Sequence, residues 1–206
     1  TYNCPVRFKI LKGSSIPQIL SHDRSLLDMI IDGGQALRKD GVRAIVGACG
    51  YFGYYQKEAA AALDVPVFLS SLLQISIIKH TLKADQQVGV ICASRESLSK
   101  ETLGACGVDD PSELVIVGAK DLPEFKNILN CTCHYNPAQL ERELTELAVK
   151  LTTDNPQIGA LLLECSDMPP FSWAVQTATG LPVFDFITMI KWIHSAVVQQ
   201  PYHGFM

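Results

Sequence analysis

The chain has 206 residues, a formal net charge of −4 and a 48% share of hydrophobic residues. That is enough apolar material for a real core in one domain or two small ones, and it excludes a disordered chain. The acidic balance without a basic cluster excludes a nucleic-acid surface, and no apolar run approaches the ~18 residues of a membrane span, so no membrane partner is expected.

In chain order, Val6 to Leu11 is expected to be a strand closed by Lys12-Gly13. A helix follows from Ser25 to Lys39 with Leu26, Ile30 and Leu37 on one face, although Gly33-Gly34 weakens its interior. Asp40-Gly41 ends it. Val42 to Ala48 reads as a strand whose unbroken apolar run suits a parallel sheet covered on both faces. Gly53 to Leu63 is a helix, Val65 to Leu69 a strand, and Leu72 to Leu82 a helix. Ala84-Asp85-Gln86-Gln87 is a polar break and a domain boundary. Val88 to Cys92 is a strand, Ser94 to Leu103 a helix stopped by Gly104 and Gly107, Leu114 to Val117 a strand, and Asp121 to Leu129 a helix. Asn136-Pro137 reads as a helix cap followed by proline at the first helical position. The helix after it carries Leu140, Leu144, Leu147, Ala148 and Leu151 and breaks at Asn155-Pro156. Ile158 to Leu163 is a strand, Pro169-Pro170 opens a helix ending near Gly180, Leu181 to Phe186 is a strand, and Ile187 to Val198 is the last helix. Trp173 and Trp192 are expected on core-facing helix sides. Strand and helix alternate throughout, which implies a mostly parallel α/β fold with right-handed crossovers and ligands bound beyond the C-terminal strand ends. Cys49, Ser70 and Cys165 sit at such ends.

The chain repeats itself. Ala44-Ile45-Val46-Gly47-Ala48-Cys49 is echoed by Ala160-Leu161-Leu162-Leu163-Glu164-Cys165, and Pro66-Val67-Phe68 by Pro182-Val183-Phe184, each at an offset of 116 residues. Two related halves each present a cysteine at the end of a strand. Two thiols facing one carbon suit an inversion beside a carboxylate: one removes a proton from one face, the other supplies a proton to the opposite face. A thiol at a helix N-terminus gains from the dipole and free N–H groups, which lower its pKa from ~8.5 and can also hold a substrate carboxylate. Gly50 permits close backbone approach, and Ser166 adds a hydroxyl. A cysteine in an apolar strand is commonly an inert core residue, and duplication preserves a packing cysteine as readily as a working one. Seven cysteines, an odd number, fit reduced thiols in a cytoplasmic protein better than a disulfide framework, and Thr1-Tyr2-Asn3-Cys4-Pro5 lacks the regions of a signal peptide.

The segments Gly47-Ala48-Cys49-Gly50-Tyr51-Phe52-Gly53, Val65-Pro66-Val67-Phe68-Leu69-Ser70-Ser71-Leu72-Leu73-Gln74 and Leu163-Glu164-Cys165-Ser166-Asp167-Met168-Pro169-Pro170-Phe171 resemble the aspartate/glutamate racemase superfamily. The resemblance covers nearly the whole chain and is nearest to a branch without a settled substrate. It implies an isomerase, a racemase or epimerase without cofactor, in which Cys49 and Cys165 act as acid and base on an amino acid or other small carboxylate. Gly50, Tyr51, Ser70, Ser94, Ser166 and Asp167 are the expected substrate contacts, with Gly50 and Ser166 at the carboxylate. Two similar lobes, 1–84 plus 186–206 and 85–185, would enclose the site in a homodimer. Decarboxylation or cis-trans isomerisation within the same superfamily, or a binding protein that keeps the fold without catalysis, are the alternatives. Family members open with a strand and a glycine-containing loop; this sequence opens past that point, so either the sequence is a fragment or that strand has been lost. Family amino-acid racemases carry Asn or Thr after the first cysteine, whereas Gly50-Tyr51 stands here.

Other signals carry less. The glycines at 47, 50 and 53 are spaced GxxGxxG, which is not the dinucleotide pattern. Cys131-Thr132-Cys133-His134 has no second ligand pair at zinc spacing and reads as a surface loop, so no metal is expected. Cys4, Cys92 and Cys106 read as core or surface thiols, and His80 and His194 as helix-face residues. Ser94 and Ser97 either line the cleft or cap a helix. Strand alternation points Glu164 away from the side of Cys165, leaving packing or support as its role beside catalysis.

Overall fold

The computed structural model describes residues 2–132 and 134–204. Its helices and strands run α1 (Ile16–Leu20), α2 (Ser25–Lys39), β1 (Ile45–Val46), α3 (Gln56–Ala62), β2 (Val67–Phe68), α4 (Ile75–Thr81), β3 (Gln87–Cys92), α5 (Lys100–Ala105), β4 (Leu114–Gly118), α6 (Pro123–Leu129), α7 (Pro137–Asp154), β5 (Ile158–Leu163), α8 (Ser172–Thr179), β6 (Val183–Phe184) and α9 (Phe186–Val197). Short 3-10 turns, Gly50–Tyr55, Ser71–Gln74 and Pro169–Phe171, lead into α3, α4 and α8. The fold is α/β, with every strand pairing parallel: β1 with β2 in one sheet, and β4-β3-β5-β6 in the other.

The repeat read in the sequence reappears in the strand register. Ile45 pairs with Val67 and Val46 with Phe68; Leu161 pairs with Val183 and Leu162 with Phe184. The entering bond repeats as well, since the N–H groups of Ile45 and Leu161 donate to Pro66 O and Pro182 O, both at 2.9 Å. Helices α3 and α8 begin at corresponding positions, 56 and 172.

Burial explains the unbroken apolar strands. Val88, Val90 and Ile91 of β3 and Leu161, Leu162 and Leu163 of β5 have no exposed surface, being central in the larger sheet and packed against Leu140, Leu144 and Ala148 of α7. Around the smaller sheet, Leu26 and Ile30 of α2 meet Ile45, Tyr55, Ala59, Leu63 and Val67. Helix α9 contributes Phe186, Met189 and Ile193, which pack against Ala44, Val46 and Phe68. Gly34 is what allows α2 to lie so close: a Cβ there would stand 2.5 Å from Leu63 Cδ1, so the glycine that weakens the helix serves its packing. At the outer edge of β2, the Gln56 side chain acts like a strand residue. Its Nε2 donates to Val67 O at 2.9 Å and its Oε1 accepts from Leu69 N–H at 2.8 Å.

Several expectations need correction. Residues 6–11 form no strand. Phe8 and Ile10 are 76% and 77% exposed, and the segment lies across α2, where Lys9 and Leu11 approach Gly33. A strand needs a neighbour for its N–H and C=O groups, and no described strand runs beside this one. The strands expected over 42–48, 65–69 and 181–186 shrink to two-residue ladders. Helix α5 starts at Lys100 instead of Ser94, because Ser99 caps it by accepting from Thr102 N–H at 3.2 Å, and Gly104 lies inside it. Trp173 and Trp192 are 76% and 51% exposed: α8 turns Val175 to the core instead, and Trp192 meets Phe68 edge-on.

Candidate active site

The two cysteine-bearing turns meet. Ser166 Oγ donates to Ala48 O at 2.8 Å, tying the residue after Cys165 to the residue before Cys49. Both cysteines are half-buried, Gly50 is buried, and Asp167 is exposed. Cys165 Sγ donates to Asp167 Oδ2 at 3.7 Å. Cys49 is extended, φ −161°, and begins the 3-10 turn that leads to α3.

Glu164 occupies the middle of this arrangement. The chain leaves β5 at Leu163, and the backbone of Glu164 is held on both sides: its N–H donates to Ile91 O at 2.9 Å, and its carbonyl accepts from Ser71 Oγ at 2.9 Å. Its carboxyl lies against Gly50, in the space that any side chain at position 50 would need. Gly50 is therefore required by packing against Glu164. Strand alternation assigned Glu164 to the side away from Cys165, yet its charge reaches both cysteines.

The electrostatics reverse the expected thiol activation. Burial first, then the Glu164 carboxylate, push the Cys49 thiol up to about 12. The N–H groups of Tyr51 and Phe52 pull it down, as a helix start should, but they are outweighed. Burial, then Glu164 and Asp167, hold Cys165 well above the ordinary thiol range, and the Cys49 thiol adds a smaller push in the same direction. Burial also raises Glu164 to about 7, against the Ala93 N–H that lowers it.

The remaining expected contacts are committed to the protein itself. Tyr51 is 2% exposed; its hydroxyl donates to Ser94 O and accepts from Ser94 N–H, both at 2.6 Å. Ser94 Oγ donates to Glu96 Oε2 at 3.1 Å and Ser97 Oγ at 3.2 Å, shaping a turn instead of capping a helix. Ser70 is fully buried and caps the turn at Ser71–Gln74 by accepting from Leu72 N–H at 3.2 Å. Cys92 and Cys106 are core thiols. His80 Nδ1 donates to Ser76 O at 2.6 Å on the exposed side of α4. A cavity of about 220 Å³ lined by Phe68, Ile77 and Trp192, among others, includes neither Cys49 nor Cys165. Cys133 lies outside the described residues. Among the described residues, no cluster of His, Cys, Asp and Glu is placed to hold a metal ion, and no helix is long and apolar enough to cross a membrane.

Solved structures share this architecture. Allantoin racemase from Klebsiella pneumoniae superposes with a TM-score of 0.58 at 15% identity, over 97% of this chain and 81% of its own. Unliganded arylmalonate decarboxylase gives 0.58 at 12% identity over 87% and 78%, and a glutamate racemase from Bacillus anthracis 0.51 at 15% over 92% and 69%. The chain shares the fold of these racemases and this decarboxylase. In sequence, the chain is also similar to proteins of another name. Dimethylsulfoniopropionate lyase 3 of Emiliania huxleyi is 36% identical over 181 residues, 84% of this chain and 47% of the relative. The dimethylsulfoniopropionate lyase of Durusdinium sp. clade D is 32% identical over 174 residues, 81% of this chain and 56% of the relative. The chain thus spans about half the length of the curated relatives it matches. No family model matches the sequence.

Proposed function

We propose that this chain houses a carbon-acid site in which a thiolate takes a proton from the carbon beside a substrate carboxylate, and that the reaction is elimination from dimethylsulfoniopropionate. The observation that carries it is the junction of the two cysteine turns through Ser166 and Ala48, which brings the two thiols within electrostatic reach of each other. The lyase relatives supply the substrate; the fold alone supports racemisation and decarboxylation equally.

The elimination balances simply. The base takes the α-proton, the C–H electrons become the double bond of acrylate, and the C–S pair leaves with neutral dimethyl sulfide. A neutral leaving group needs no proton, so one thiol suffices as base and the other supports it. Racemisation, the reading the two-fold repeat suggests, needs both thiols. Within this reading the backbone near Gly50 and Ser166 holds the carboxylate, because the Ser166 hydroxyl is engaged with Ala48. Tyr51, Ser70 and Ser94 hold the site together from behind. The two lobes, 1–84 plus 186–206 and 85–185, belong to the same proposal, supported by α9 packing on Ala44, Val46 and Phe68. So does the homodimer, which light scattering would test.

The experiment is headspace gas chromatography of protein with dimethylsulfoniopropionate in deuterated buffer, comparing wild type, Cys49→Ala and Cys165→Ala. Elimination predicts dimethyl sulfide from wild type, none from one variant and a reduced amount from the other. No dimethyl sulfide, with α-deuteration of a small amino or hydroxy acid that needs both cysteines, would replace the lyase reading with a racemase.

A further inference from the structure

Glu164 has one feature that packing does not explain. It is 1% exposed, its Oε2 accepts from Ala93 N–H at 3.2 Å, and its Oε1 has no hydrogen-bond partner in the protein. That bare oxygen lies against Gly50, next to Cys49. None of the ion pairs among the described residues involves Glu164. The titratable groups coupled to it are Cys49, Cys165, Tyr51, Cys92, Cys106 and the exposed Asp167, and none of them is a cation. A buried carboxylate with neither a cation nor a full set of donors is costly, and glutamine would fill the same space at lower cost.

We propose that Glu164 is the counter-charge for a fixed cation on the substrate, so that the site selects small carboxylates bearing a sulfonium or quaternary ammonium group. The inference rests on the substrate reading above and adds the residue that enforces it. It also eases one of the two causes that raise the thiols in the free site. Both thiols are held protonated by burial and by the Glu164 charge. A bound cation offsets the Glu164 part and so lowers both thiols toward the thiolate, the freed proton leaving to solvent, while the larger part, burial, stays.

Calorimetric titration of the purified protein with 3-(trimethylammonio)propionate and with 4,4-dimethylpentanoate tests this. The two share shape and carboxylate and differ in the fixed charge, and neither carries a sulfide leaving group, so binding is read apart from turnover. At pH 8 wild type should bind the cationic compound at least about tenfold more tightly, roughly 1.4 kcal/mol. Glu164→Gln should bring the two affinities together without weakening that for the compound with the uncharged tail. In wild type alone, the preference should shrink between pH 8 and pH 5.5 as Glu164, at about 7, takes up a proton; this arm stands even if the variant folds poorly. Equal affinities in wild type, binding of neither compound, or an unchanged ratio in Glu164→Gln would overturn the assignment. A preference that vanishes in Glu164→Gln, in protein that releases no dimethyl sulfide, keeps the counter-charge and rejects the elimination. Release of dimethyl sulfide with an unchanged ratio does the reverse.

Discussion

Moving the Glu164 carboxyl from water into the protein costs free energy, and folding should register that cost as pH changes. Its folded value of about 7 exceeds the ordinary 4.5, so the folded chain binds more protons between those values than the unfolded one. Stability is therefore fullest below about 4.5 and falls as pH rises through about 7, by roughly 3 kcal/mol from this one group. Urea unfolding of wild type and Glu164→Gln at pH 5 and pH 8 should show wild type losing that much more than the variant; equal losses would reject it. The same carboxylate predicts slow thiol chemistry. At pH 8, iodoacetamide should label Cys49 more than about tenfold slower than free cysteine, and Glu164→Gln should speed it, as peptide mass mapping would show. Rapid labelling in wild type would contradict the half-buried, raised thiol. Neither effect was legible in the sequence. A helix start beside a cysteine announced a lowered pKa, but burial and a neighbouring carboxylate are tertiary facts.

Long, strongly patterned elements were legible, and the two-residue ladders were not. Helices α2 and α7 and strand β5 keep the bounds read from their apolar spacing and caps. The cap of α7 is worth testing: Asn136 Oδ1 accepts from Gln139 N–H at 3.2 Å. Asn136→Ala should cost about 1 kcal/mol of stability and leave the cysteine site untouched. Thermal unfolding and the labelling rate of Cys49 measure the two halves of that statement, and a changed labelling rate would refute the second. The run at 94–99 misled because serine serves turns and helix starts alike; here Ser94 shapes a turn and Ser99 the cap. The ladders at β1, β2 and β6 are shorter than their apolar runs because only two residues in each meet a register partner.

At the scale of the molecule, the segments joining at the site are held by a few polar ties. Tyr51 clasps the backbone of Ser94, Ser71 holds the Glu164 carbonyl, and Gln74 Nε2 donates to Asp185 O at 3.0 Å. Tyr51→Phe leaves a buried N–H and C=O of Ser94 without their partner, a loss of about 1–3 kcal/mol. Chemical denaturation should find that loss together with weakened binding of small carboxylates; a fully stable variant would show that the clasp is idle. The two-fold repeat was legible because it is written in identity at fixed spacing. The meeting of its two cysteine turns was not, since Ser166 and Ala48 find each other only in three dimensions.

The side chain of Gln56, lying along β2, has a consequence for solubility. A two-stranded sheet offers free rims to which another chain can add by backbone pairing, the first step of many aggregates. At β2 that rim is already taken: the amide of Gln56 supplies the donor and the acceptor an incoming strand would use. The fold thus blocks polymerisation along that rim with one amide, without the charged or proline-bearing guard strand that open sheets commonly need.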